Sequence, residues 1–129
     1  MSEPVEYLEL DDLVELACRL LGDPPPIRDI GLLGSAAARP GTTAFGQDAY
    51  PDLTTKAAAL LQSIAINHAL VDGNKRLGWL ATAVFLEING IEASRLSNKV
   101  VYDFVMWVAS TNPELDQIVA RLRKLLQRL

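Results

Sequence analysis

The sequence predicts an all-α fold, a compact bundle of about six helices around a buried central helix. Three observations carry that prediction. Apolar residues return at a spacing of three and four in segment after segment. Between the segments stand Gly, Pro and Asn-Gly breaks of the kind that stop helices. No stretch alternates apolar and polar residues convincingly enough to make a strand.

The first helix is expected over Leu10–Leu21, with apolar residues at 10, 13, 14, 16, 17, 20 and 21, and Gly22 and Pro24-Pro25-Pro26 end it. A short second helix spans Asp29 to Ala38 and is stopped by Pro40 and Gly41. Residues 40–52 hold two Gly, two Pro, Phe45 and Tyr50, and read as a long loop or small hairpin. A connector of that length in a small domain is either plain or functional. Asp52 has the chemistry of an N-cap for a helix from Leu53 to about His68. After a break at Asp72-Gly73-Asn74, another helix begins at Asn74 or Lys75 and runs to Ile88, where Asn89-Gly90 stops it. Nearly every residue from Gly78 to Leu86 is apolar or small, so this helix is expected to be the buried centre. Ser97 caps a helix from Asn98 to about Ala109. Asn112 is expected to cap the last one, with Pro113 in its first position and Glu114 in its first turn.

The 129 residues suit one domain, 1–129, and allow a core large enough to need no disulfide. Cys18, the one cysteine, sits in an apolar-periodic run and reads as a small core residue. Half the residues are hydrophobic and 22% are charged, unlike a disordered chain. The net charge of −4 argues against direct binding of nucleic acid by bulk electrostatics. The acidic start, MSEPVEYLELDD, has no apolar core of a secretory signal, and no stretch approaches a membrane span. A cytoplasmic location, with no membrane partner, is therefore the expectation.

One polar island interrupts the apolar helices. Residues 67–76 read Asn-His-Ala-Leu-Val-Asp-Gly-Asn-Lys-Arg and include the only histidine. Gly and Asn tolerate left-handed turns, so one helix ends here and the next begins. The free N–H groups at the start of the new helix form an anion site, and its dipole adds to it. Lys75 and Arg76 bring positive charge to the same place, suited to phosphate. Asp72 is placed to hold Mg²⁺ against bound phosphates. His68 carries an imidazole, the side chain that changes protonation near neutral pH, and suits a general base. Taken singly, a histidine at a helix end is more often structural, Lys-Arg at a helix start is usually solvated, and Asp-Gly-Asn is usually a turn. Their coincidence within ten residues favours a phosphate and Mg²⁺ site beside a base.

This island resembles the Fic-superfamily motif His-x-Phe-x-Asp/Glu-Gly-Asn-x-x-x-x-Arg. Asn74-Lys75-Arg76 resembles the death-on-curing (Doc) branch, in which Lys replaces the second Gly of a Gly-Asn-Gly turn. The similarity extends over about residues 7–92. It takes in RDIGLLGSAAARP at 28–40, the Phe45-Gly46 and Tyr50-Pro51 pairs of a flap, Lys56 to Leu61, and Phe85 to Gly90.

The resemblance implies roles. His68 would activate a target hydroxyl and Asp72 would bind Mg²⁺. Gly73 would give the turn, while Asn74, Lys75 and Arg76 hold the phosphates of ATP. Phe45 and Tyr50 would form a target-docking surface. The branch implies a toxin kinase that phosphorylates a threonine of elongation factor Tu and halts translation. It also implies an antitoxin whose C-terminal helix fills a groove, bordered by the first helix and the flap. Two departures stand out. Leu70 occupies the place of the motif's Phe, a smaller anchor expected to loosen the loop and weaken activity. Trp79 stands where the Fic motif has its second Arg, which favours the Doc branch over AMP transfer, and reads as a core residue. A nucleotidyltransferase and a degenerate, non-catalytic partner-binding domain are the alternatives.

Overall fold

A computed structural model describes residues 4–129. Six α-helices, α1 (Leu10–Leu21), α2 (Ile30–Ala38), α3 (Leu53–Asn67), α4 (Asn74–Ile88), α5 (Asn98–Thr111) and α6 (Leu115–Leu126), share one apolar core that runs from Leu8 to Leu125. Two 3₁₀ turns, Arg39–Gly41 and Ala93–Arg95, join them. The only sheet among the described residues is a hairpin of β1 (Thr43–Ala44) and β2 (Gln47–Asp48), with Ala44 opposite Gln47 and Thr43 opposite Asp48. The all-α fold is as the periodicity predicts, and the 40–52 segment takes its hairpin form.

Side-chain N-caps fix three of the six helix starts. Asp29 accepts from the Leu32 N–H at 3.1 Å. Asp52 accepts from Thr55 N–H at 2.7 Å, and Ser97 from Val100 N–H at 3.3 Å. Each satisfies an N–H that the first turn of a helix leaves without a backbone acceptor.

The middle of the bundle is shared differently than the sequence implies. Helix α3 packs against α2, α4, α5 and α6, and its residues 56–61 are all buried. Helix α4 is also deeply set, but Trp79, Leu80 and Val84 are only half-buried. The enclosure of α3 was hidden by Lys56, Gln62 and Ser63, polar residues that suggest a solvated face. Lys56 is nevertheless fully buried.

Two smaller expectations are corrected. Asn112 does not cap the last helix. It is left-handed, φ 47° and ψ 59°, and closes α5, its N–H donating to Val108 O at 3.1 Å. Asn suits either end, because its short polar side chain tolerates the left-handed conformation. Pro113 consequently lies outside α6, with its carbonyl accepting from Gln62 Nε2 at 3.2 Å. The start of α6 falls to Glu114, whose N–H donates to Gln117 Oε1 at 3.0 Å. Cys18 is half-buried rather than a core residue.

Candidate active site

Between α3 and α4 the chain makes two left-handed steps. His68 ends α3 at φ 55° and ψ 49°, and Gly73 precedes α4 at φ 87° and ψ 12°. A side chain at position 73 is disfavoured twice over. The backbone is left-handed, and a Cβ would lie 2.7 Å from Leu21 Cδ2 of α1. The break is therefore wider than the Asp72-Gly73-Asn74 turn alone, and covers residues 68–73.

Those residues are tied down from two sides. Leu70 forms an isolated antiparallel bridge with Ile27. Arg28 N–H and Asp29 N–H both donate to Ala69 O, at 2.8 and 2.9 Å, and Val71 N–H donates to Pro26 O at 2.8 Å. The Arg28 guanidinium donates to His68 O through Nε at 3.0 Å and through a second nitrogen. From the other side, Asn74 Oδ1 accepts from Leu70 N–H and its Nδ2 donates to Leu70 O, each at 3.0 Å.

Asn74 is buried and its side-chain amide is engaged by Leu70, so the side chain shapes the loop. Leu70 is itself buried and held by Asn74 and by the 26–29 segment, so the smaller anchor does not leave the loop untied. Trp79 packs edge-on to Phe104, ring centroids 6.4 Å apart, against the core. Arg28 and Leu21 carried no sign of their roles, because nothing local in the sequence places them beside residues 68 and 73.

The remaining site residues converge. His68, Asp72, Gly73, Asn74, Lys75 and Arg76 line one cleft of about 300 Å³. The side chains of His68, Asp72, Lys75 and Arg76 are exposed. Asp72 Oδ1 accepts from Gly73 N–H at 2.9 Å, which holds the carboxylate beside the turn. The first N–H groups of α4 open at the same place, where the helix dipole favours an anion. Lys75 and Arg76 also border a second, apolar groove of about 520 Å³, lined by Trp79, Leu80, Val101 and Met106. Leu20 of α1 is part of its border, but no residue of the hairpin is.

The hairpin separates Phe45 and Tyr50, the two aromatic residues of the expected docking surface. Phe45 and Gly46 form its two-residue turn with φ 53° and 77°, the pattern of a type I′ turn. Phe45 is fully exposed at the tip. Tyr50 is half-buried at the base, its hydroxyl accepting from Arg39 Nε at 3.0 Å.

The family model described as "Fic/DOC family" matches residues 7–86, which include every residue lining the cleft except Ala109. The chain belongs to the Fic/DOC family. It is also 48% identical, over 118 residues and 91% of both chains, to "Toxin Doc" of Mycolicibacterium smegmatis (strain ATCC 700084 / mc(2)155). Within this Fic/DOC chain, no helix among the described residues is long and apolar enough to cross a membrane. Among the described residues Asp72 contributes the only carboxylate to the cleft, compatible with Mg²⁺, which commonly takes one or two carboxylates and completes its shell with phosphate oxygens and water.

Proposed function

We propose that this chain is the toxin of a type II toxin–antitoxin pair and acts as a protein kinase. It would transfer the γ-phosphate of ATP to a hydroxyl of elongation factor Tu and so halt translation. The observation that supports this most is the meeting of His68, Asp72 and the α4 N-terminus with Lys75 and Arg76 in one cleft. Membership of the Fic/DOC family and likeness to a Doc toxin support the same reading.

In this reading the phosphates lie over the N–H groups that open α4, with Lys75 and Arg76 neutralising their charge. Mg²⁺, held by Asp72, would supply charge neutralisation between phosphate oxygens. His68 accepts the proton of the target hydroxyl as its oxygen forms a bond to the γ-phosphorus. The bond from that phosphorus to the bridging oxygen breaks, and ADP leaves with the electron pair. Arg28, by holding the His68 carbonyl, fixes the backbone from which the imidazole projects. The antitoxin helix would occupy the apolar α4–α5 groove. Lys75 and Arg76 belong to both spaces, so a helix there would compete with nucleotide for them.

The test uses purified protein, Mg²⁺, elongation factor Tu, and ATP labelled at either the γ- or the α-phosphate. The expected result is label from the γ-position alone, reduced about 10²–10⁴-fold in His68→Ala. Label from the α-position would make the chain a nucleotidyltransferase. Absence of both labels, together with unchanged toxicity of His68→Ala in cells, would leave a non-catalytic binding domain.

A further inference from the structure

Among the described residues Lys56 is the one charged residue fully enclosed in the core, and the chemistry proposed for the cleft makes no use of it. A lysine in the first turn of an Ala-Leu helix is costly to bury unless its charge is met. Here it is met by the two feet of the hairpin. Nζ donates to Asp48 Oδ2 in β2 at 3.1 Å and to Pro40 O, just before β1, at 3.3 Å. The Tyr7 ring lies on another side, 5.5 Å from Nζ to its centroid. Burial alone would lower the lysine's pKa, but Tyr7 and Asp48 outweigh it and raise the value, so the ammonium stays charged. Arg39 holds the hairpin's following residues to the same helix. It donates to Tyr50 Oη at 3.0 Å, to Ser63 Oγ at 3.1 Å and to Gln62 Oε1 at 2.7 Å.

Without such ties a two-stranded hairpin four residues in strand would have little order of its own. It has no face in the core, since all four strand residues are exposed. We infer that Lys56 is a positioning residue: its bond to Asp48 fixes the hairpin, with Phe45 at its tip, in the orientation that docks the protein target. The inference rests on the proposed protein-modifying function. It does not require Lys56 to touch target or nucleotide.

The test removes the exposed end of the pair with Asp48→Ala, and adds Asp48→Glu as the conservative variant and Lys56→Met, which removes the buried charge as well. Two readouts are taken. The first is hydrogen exchange at Ala49 N–H, which donates to Thr42 O at 2.8 Å across the hairpin. The second is the KM for elongation factor Tu beside the KM for ATP. In Asp48→Ala, exchange at Ala49 should quicken while α3 stays protected. The KM for the protein target should rise roughly tenfold or more, with the KM for ATP and kcat unchanged. Asp48→Glu should restore both, and Lys56→Met, if it folds, should behave as Asp48→Ala. Unchanged exchange at Ala49 would overturn the anchor. Faster exchange with an unchanged target KM would overturn the positioning role, and so would equal rises in both KM values. Failure of the wild type to label elongation factor Tu would count against that target alone. Positioning is then decided by exchange together with growth arrest in cells. A loosened hairpin with undiminished arrest overturns it, and a loosened hairpin with arrest lost in Asp48→Ala and regained in Asp48→Glu supports it.

Discussion

The side chain of Asn74 closes a ring with the backbone of Leu70, accepting from its N–H and donating to its carbonyl, both at 3.0 Å. One residue thus joins the first turn of α4 to the middle of the loop that carries His68. Because the pair is buried, its loss leaves two backbone groups without partners. Asn74→Ala should therefore lower unfolding free energy by about 1–3 kcal/mol in a urea titration. Asn74→Asp keeps an acceptor for the Leu70 N–H but cannot donate to its carbonyl, and it puts an anion at the phosphate end of α4. It should lose label transfer more completely than Asn74→Ala. Equal activity in the two variants would show that charge at position 74 does not reach the phosphates.

Gly73 and Leu21 make a second test of the same turn. Gly73→Ala places a methyl 2.7 Å from Leu21 Cδ2 and also forces an L-residue to φ 87°. The left-handed conformation alone costs about 1–2 kcal/mol, and the clash adds to it. In the double variant Leu21→Ala, Gly73→Ala the clash is gone and the backbone cost is not. The double variant should therefore lose less stability than the sum of the two single losses. A strictly additive double variant would mean that Leu21 moves aside freely and that only the backbone conformation demands glycine.

How far the site could be read from sequence follows from these contacts. The turn was legible because Gly-Asn announces a left-handed step, and His68, Asp72, Lys75 and Arg76 lie within eight residues of it. Two helix starts were legible from capping chemistry, through Asp52 and Ser97. Asn112 misled because its chemistry suits both a helix end and a helix start. Long-range partnerships left no local trace. Arg28 meets His68 across 40 positions of sequence, and Lys56 looks like a solvated lysine until Asp48, Pro40 and Tyr7 surround it.

Acid should loosen α3 at its start. Asp52 caps α3 and also meets Arg123 of α6 at 3.2 Å. Partial burial raises the pKa of its carboxyl, but bonds from Thr55 and the charges of Arg123 and Lys56 outweigh that, so it lies below the ordinary 3.8. A carboxyl with a depressed pKa in the folded state stabilises above its unfolded value and loses that contribution as pH falls through the folded one. The cap should be fully effective at neutral pH and fade below about pH 3.8. Asp52→Ala should cost about 1 kcal/mol at pH 7 and progressively less in acid. A pH-independent difference between wild type and variant, measured by urea titration, would contradict this.

Phe45 sets backbone preference against exposure. A Phe at φ 53° in a type I′ turn is strained relative to Asn or Gly, and its fully exposed ring has no core contact to offset the strain. Phe45→Asn should thus gain up to about 1 kcal/mol in stability. A fully exposed aromatic ring at a hairpin tip is also the side chain best placed to enter a partner's pocket, and Asn cannot fill one. The same substitution should raise the KM for the protein target and leave the KM for ATP unchanged, because Phe45 is not among the residues lining the cleft. A more stable variant with weaker docking would show that the strained aromatic serves recognition. A more stable variant with unaltered target kinetics would assign docking to the hairpin's backbone edge or to the cleft rim around Val71, which is also exposed.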